Sequence, residues 1–163
     1  MTLFDRCVEE VLRYEGGYVN DARDPGGETN MGISKRSYPG LSIKDLTRDE
    51  VIAIYRRDFW APLRCPDLPP AVAFVVFDGG VNQGTTAAAL DLQKAARVAQ
   101  DGVIGPQTLE AVRAADPPEL LVRVIAARSV RYAFTRNLST FAEGWYLRLA
   151  RASFFAFHLS GKR

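Results

Sequence analysis

The sequence predicts a mainly helical fold with one small irregular or hairpin lobe and a C-terminal helical bundle. Apolar residues recur at three- and four-residue spacing over most of the chain, as on one face of a helix. Capping signals stand where those stretches begin. Asn, Asp, Gly and Pro crowd into one place, residues 18–33, where a structured loop or short hairpin is expected instead of a helix.

The first helix is expected over residues 3–14. Phe4, Cys7, Val8, Val11 and Leu12 share a face, and Asp5, Arg6, Glu9, Glu10 and Arg13 fall opposite. Thr2 serves as its N-cap with Asp5 three residues on. Gly16-Gly17 is expected to stop it in the left-handed cap conformation. Thr47-Arg48-Asp49-Glu50 reads as a capping box that opens a helix to about Trp60, with Ile52, Ile54, Tyr55 and Phe59 inward. After the proline-rich connector 65–70, the apolar run 71–77 reads as a buried helix continuing towards Asn82, although its β-branched content also fits a strand. Gly79-Gly80 inside it costs about 1–2 kcal/mol of helix propensity, which points to a kink or a close approach of backbone to a ligand. Further helices are expected from Thr85 or Thr86, after Gly105-Pro106, over about 119–136 and over about 141–157.

Composition removes several function classes. Apolar residues make up 47% and charged residues 25%, which argues against a disordered chain. No apolar run approaches the roughly 18 residues of a membrane span, so no stable membrane insertion is expected. The start, Met1-Thr2-Leu3-Phe4-Asp5-Arg6, lacks the basic end and apolar stretch of a secretory signal, so none is expected there. Two cysteines, Cys7 and Cys65, are too few for a disulfide scaffold or a four-ligand zinc site and read as reduced core residues. The single histidine, His158, leaves no His-rich metal site and fits a surface or packing role. No metal or organic cofactor is expected.

The net charge of +2 conceals an asymmetry: residues 1–92 sum to −4 and residues 93–163 to +6. A basic half fits an anionic partner or a solvated face. Arg123, Arg128, Arg131, Arg136, Arg148 and Arg151 fall on the last two helices. They are read either as a grip on peptide-stem carboxylates and anionic wall polymer or as ordinary helix solubility. No nucleic-acid motif is present.

Glu15 is the sharpest candidate residue. It follows Val11 by four and Cys7 by eight, so it continues the apolar stripe to the end of the first helix. Partial desolvation and the negative end of the helix dipole would both favour its protonated form. A protonated carboxylic acid at a cleft edge is what glycosidic cleavage needs, because the leaving oxygen must receive a proton. Spacing alone also fits a surface glutamate at a frayed helix end. The segment Tyr18–Ser34 then gathers three carboxylates, Asp21, Asp24 and Glu28, with Asn20, Asn30 and Thr29 in a glycine-rich loop. Folded back beside Glu15, it would offer a second carboxylate and amides for sugar hydroxyls. A solvated turn with Asx caps is the plainer reading, and EF-hand ligand spacing is absent. Tyr14, Tyr18, Tyr55 and Trp60 offer faces for sugar stacking; aromatics at helical spacing usually belong to a core, and Tyr18 is the one retained.

These residues carry a resemblance. Glu15-Gly16-Gly17-Tyr18, Asn20-Asp21 and Asp24-Pro25-Gly26-Gly27-x-Thr29-Asn30-x-Gly32-Ile33 resemble the signature of glycoside hydrolase family 108. So do Leu46-Thr47, Ile54-Tyr55-Arg56-Arg57, Trp60, Leu68-Pro69 and Val76-Phe77-Asp78-x-x-Val81-Asn82-x-Gly84. These are N-acetylmuramidases, among them phage endolysins and bacterial secretion-activator types. Residues 93–163 resemble the predicted peptidoglycan-binding domain that follows in that family, through Asp101-Gly102-Val103-Ile104-Gly105-Pro106-x-Thr108, Arg128, Tyr132 and Phe141-x-x-Gly144-Trp145.

The resemblance implies a lysozyme-like helical catalytic domain over residues 1–92 and a peptidoglycan-binding helical domain over 93–163. It implies hydrolysis of the bond between N-acetylmuramic acid and N-acetylglucosamine in peptidoglycan glycan strands, with Glu15 as general acid. A looser similarity to phage-type lysozymes, where a Glu is followed by an Asp and then a Thr, favours Asp24 over Asp21 as second carboxylate and gives Thr29 the attacking water. Tyr18, Asn20, Asn30, Asp78 and Asn82 are the expected substrate-binding residues. Asn82 is read against an N-acetyl group or, equally, as a buried structural hydrogen bond. A lytic transglycosylase and a non-catalytic wall-binding module for secretion or assembly are the alternatives. The substrate implies action in the periplasm or cell wall after synthesis in the cytoplasm, reached through a holin or dedicated secretion machinery.

Overall fold

The computed structural model describes residues 1–20, 27–135 and 138–161. Among these residues the protein is mainly helical, as expected, with seven α-helices and one two-stranded antiparallel sheet. The chain forms two compact units, Met1–Asp58 and Phe59–Arg163.

In the first unit, α1 spans Leu3–Tyr14. Its capping box is reciprocal: the Asp5 amide donates to Thr2 Oγ1 at 3.2 Å, and the Thr2 amide donates to Asp5 Oδ2 at 2.7 Å. Phe4, Cys7, Val8 and Val11 form its buried face. Burial pushes the Cys7 thiol up to about 12, so it stays protonated as a core residue. The helix stops differently from the expectation. Glu15 is its C-cap in an extended conformation (φ −86°, ψ 143°), and neither Gly16 nor Gly17 takes a positive φ. The chain simply leaves the helix extended, and no left-handed residue is required.

The expected lobe contains a hairpin. β1 (Thr29–Asn30) pairs with β2 (Ile33–Ser34) in the register Thr29↔Ser34 and Asn30↔Ile33. The loop's entry joins it through Val19, whose amide and carbonyl exchange hydrogen bonds of 2.8 and 2.9 Å with Thr29. α2 (Arg48–Tyr55) opens on the expected Thr47/Glu50 capping box and buries Val51, Ile54 and Tyr55. Its continuation, Arg56–Trp60, widens into a π-helical turn.

In the second unit α3 (Pro70–Gln83) lies at the centre. Every residue from Ala71 to Gly80 is buried, and a helix apolar on all sides must be covered on all sides. α4 (Thr85–Ala96), α6 (Pro117–Ala133) and α7 (Leu138–Leu159) pack against it, and α5 (Pro106–Ala114) packs on α4. The 92/93 position expected as a domain boundary lies inside α4. Gly84 joins α3 to α4 at φ 93°, a conformation that costs glycine little and other residues much. No helix among the described residues is long and apolar enough to cross a membrane.

Gly79 and Gly80 are explained by protein contacts instead of a ligand. A Cβ at Gly79 would lie 3.3 Å from Arg128 Nε, and one at Gly80 would lie 2.5 Å from Leu63 Cδ1. Gly80→Ala is therefore expected to overpack this contact and to destabilise the protein by about 1–3 kcal/mol, read as a lower urea midpoint at unchanged slope. A midpoint equal to wild type would mean that Leu63 moves aside at no cost.

The loop Asp101–Gly105 is clamped from below by Gln93, which is almost fully buried. Gln93 Nε2 donates to Asp101 Oδ1 (2.6 Å), the Val103 carbonyl (2.9 Å) and Thr108 Oγ1 (3.2 Å), while its Oε1 accepts from the Gly102 amide (2.9 Å). The hydrogen bond from Gln93 holds the Asp101 carboxyl below the usual carboxylate range.

Candidate active site

The first unit presents Glu15 at the point where α1 has ended, half-buried, with its side chain against the turn of the hairpin. A Cβ built on Gly32 would fall 2.9 Å from Glu15 Oε2 and 3.0 Å from its Cδ, so only a glycine lets the turn lie this close to the carboxylate. The same built atom would collide with the hydroxyl of Tyr55, the last residue of α2. The end of α1, the hairpin and α2 thus meet at Gly32.

The expected neighbours of Glu15 divide into several groups. Tyr18 and Asn20 are exposed. The Tyr18 hydroxyl donates to Glu28 Oε1 at 2.9 Å, and that hydrogen bond pushes the phenol above its usual value. Thr29 is half-buried, in the hairpin whose turn touches Glu15. Asn30 is buried at 8% exposure, and its Nδ2 donates to the Ile43 carbonyl at 3.1 Å. That amide anchors the hairpin to the loop beneath it, a different task from the sugar contact expected of it. Asp24 and its rival Asp21 lie outside the described residues.

The second unit holds Asp78 and Asn82 on one face of α3, as their spacing predicts. Asp78 is fully buried. Its Oδ2 accepts from Arg128 Nη2 at 2.8 Å, and its Oδ1 accepts from Arg148 Nε at 2.9 Å. Arg128 also donates to the Val75 carbonyl (3.0 Å) and to Gln83 Oε1 (3.3 Å). This carboxylate ties α3 to α6 and α7, where a substrate contact was expected; burying an acid here is tolerated because two guanidinium groups pair with it. Asn82 is half-buried, and its Oδ1 accepts from the Tyr132 hydroxyl at 2.5 Å. Tyr132 in turn stacks on Trp145, with ring centroids 5.4 Å apart.

The arginines expected to face an anionic partner are largely engaged within the protein. Arg128 and Arg148 hold Asp78, Arg131 makes two hydrogen bonds to the buried Asp91, and Arg123 pairs with Glu119 one turn earlier. Arg151 is exposed, and Arg136 lies outside the described residues. Tyr55, expected in the core and not as a stacking face, is buried with its hydroxyl at the hairpin turn, and the pairing of Asp78 with Arg128 and Arg148 was not foreseen. A signal for the latter existed: one acid inside an otherwise apolar helix needs a buried cation.

The fold is that of a family of glycoside hydrolases: the chain belongs to the glycosyl hydrolase 108 family. The family profile matches residues 8–84, and a profile described as a predicted peptidoglycan domain matches residues 78–150. Both profiles cover 78–84, the stretch that carries Asp78 and Asn82. Among solved structures the chain is similar to Brucella abortus SagA, at 35% identity and a TM-score of 0.90, over 98% of this chain and 96% of that one. Among curated proteins none matches.

Proposed function

We propose that the protein is an N-acetylmuramidase that hydrolyses the glycosidic bond between N-acetylmuramic acid and N-acetylglucosamine in peptidoglycan, with Glu15 as the proton donor. The observation that carries this reading is the half-buried Glu15, whose carboxylate is set past the end of α1 and against the Gly32 turn, in a chain of family 108. A carboxyl group partly shielded from water can deliver a proton to the leaving oxygen while positive charge develops on the sugar ring. Asp24 would stabilise that charge, and Thr29 would orient the attacking water. Tyr18 and Asn20, both exposed beside the hairpin, would meet the glycan. Asn82, in the second unit, would contact an N-acetyl group through its side-chain amide nitrogen, its carbonyl being taken by Tyr132. The chain's work would then lie in the periplasm or wall, reached through a holin or a secretion route.

The deciding experiment is mass spectrometry of peptidoglycan digested by the protein, with borohydride reduction of the fragments. Reducible N-acetylmuramic acid ends are expected. 1,6-Anhydro ends would replace this reading with a lytic transglycosylase. Binding to sacculi without fragment release would leave a wall-binding module.

A further inference from the structure

The hairpin turn has two central residues with positive φ, Met31 at 47° and Gly32 at 80°. Flanked by the Asn30↔Ile33 pair, this is the primed turn geometry that matches the twist of two short strands. Glycine adopts it freely, but methionine does not, so something must hold Met31 there. Tyr55 does so from α2: its hydroxyl donates to the Met31 carbonyl at 3.1 Å, and its ring is fully buried. Asn30, through Ile43, anchors the strand next to the turn. Glu15 is the C-cap of α1 and has left helical backbone geometry (φ −86°, ψ 143°), so the regular helix does not by itself set the direction of its carboxylate. The wall on one side of that carboxylate is Gly32, within contact distance of both Glu15 and the Tyr55 hydroxyl.

We infer that Tyr55 is a positioning residue for the reaction: through Met31 it sets the turn that holds the Glu15 carboxylate in place. This rests on Glu15 being the proton donor. A tyrosine that merely filled the core would be replaced by phenylalanine without consequence for turnover, because the ring would stay where it is. Loss of the hydroxyl instead frees the Met31 carbonyl and lets the turn relax away from Glu15. A proton donor displaced by about 1 Å loses on the order of 100-fold in rate.

The test compares Tyr55→Phe, Gly32→Asn and their double variant with wild type and Glu15→Gln, using the full chain and solubilised glycan strands. Asparagine tolerates positive φ, so Gly32→Asn tests chiefly the added side chain. Each single variant is expected to lose about 10- to 100-fold in kcat with KM within about twofold. The double variant is expected to lose less than the product of the two, because removing the hydroxyl makes room for the new Cβ. Single variants that fold and keep kcat within about twofold of wild type, beside an inactive Glu15→Gln, would overturn the inference. So would losses confined to KM, or losses that only follow a lowered unfolding midpoint. If Tyr55→Phe unfolds at the assay temperature, the comparison with wild type is repeated below its unfolding midpoint and read by the same criterion. Wild-type activity in Glu15→Gln would instead remove the premise, and is read separately.

Discussion

Glu15→Gln is expected to give a folded protein whose release of reducing ends from peptidoglycan falls by at least about 10³-fold, within the range general acid catalysis contributes. The substitution keeps the size of the side chain and removes only its transferable proton. Each decade of rate corresponds to about 1.4 kcal/mol of lost transition-state stabilisation, so a 10³-fold effect is about 4 kcal/mol. Folding should hardly notice, because Glu15 is only half-buried and caps α1 with its backbone; a stability change within about 0.5 kcal/mol is expected. Binding to sacculi should persist. Measured rates of reducing-end release, beside thermal unfolding of the same preparation, check both halves. A variant that cleaves at the wild-type rate would refute the assignment of Glu15.

Asp78→Ala is expected to have the largest effect on stability. It would leave Arg128, only 1% exposed, and the mostly buried Arg148 without their shared carboxylate in the middle of the second unit. Breaking a buried ion pair from one side costs about 3–5 kcal/mol, because the remaining charge stays desolvated and uncompensated. For a chain of this size that lowers the unfolding temperature by roughly 10 °C or more. Asp78→Asn, which keeps an acceptor of the same shape, should fall between wild type and alanine. Calorimetry of the three proteins reads the order directly. Equal midpoints for alanine and wild type would show that α3, α6 and α7 are held by apolar packing alone.

The contrast between these two carboxylates shows how far the sequence could be read. Glu15 is expected as the general acid and Asp78 as a substrate-binding residue. Glu15 was legible because an acid at the end of an apolar stripe, followed by Gly-Gly and an acidic loop, is a local pattern. Asp78 lies in an equally local pattern, four residues before Asn82, but its role depends on Arg128 and Arg148, which are 50 and 70 residues away in the chain. Nothing in residues 70–84 says which cations will come. The double glycine at Gly79-Gly80 misled for the same reason: a close approach was foreseen, but its partners, Arg128 and Leu63, belong to other elements.

By itself, the sequence determined that this protein is mainly helical, where most helices begin, that a hairpin follows the first helix in the Asn-, Asp- and Gly-rich stretch, and which family it resembles. Those properties depend on caps, periodicity and ordered motifs, interactions that span a few residues. Only the tertiary structure decided that Gly16 and Gly17 are not the left-handed cap of α1, that Asn30 and Asp78 are turned inward, and that most of the expected arginine grip is engaged with Asp78, Asp91 and Glu119. It alone brought Gly32 and Tyr55 to Glu15. The physical reason is desolvation: a polar side chain's role depends on whether its partner is water, a ligand or a residue from a distant helix, and only packing chooses among them.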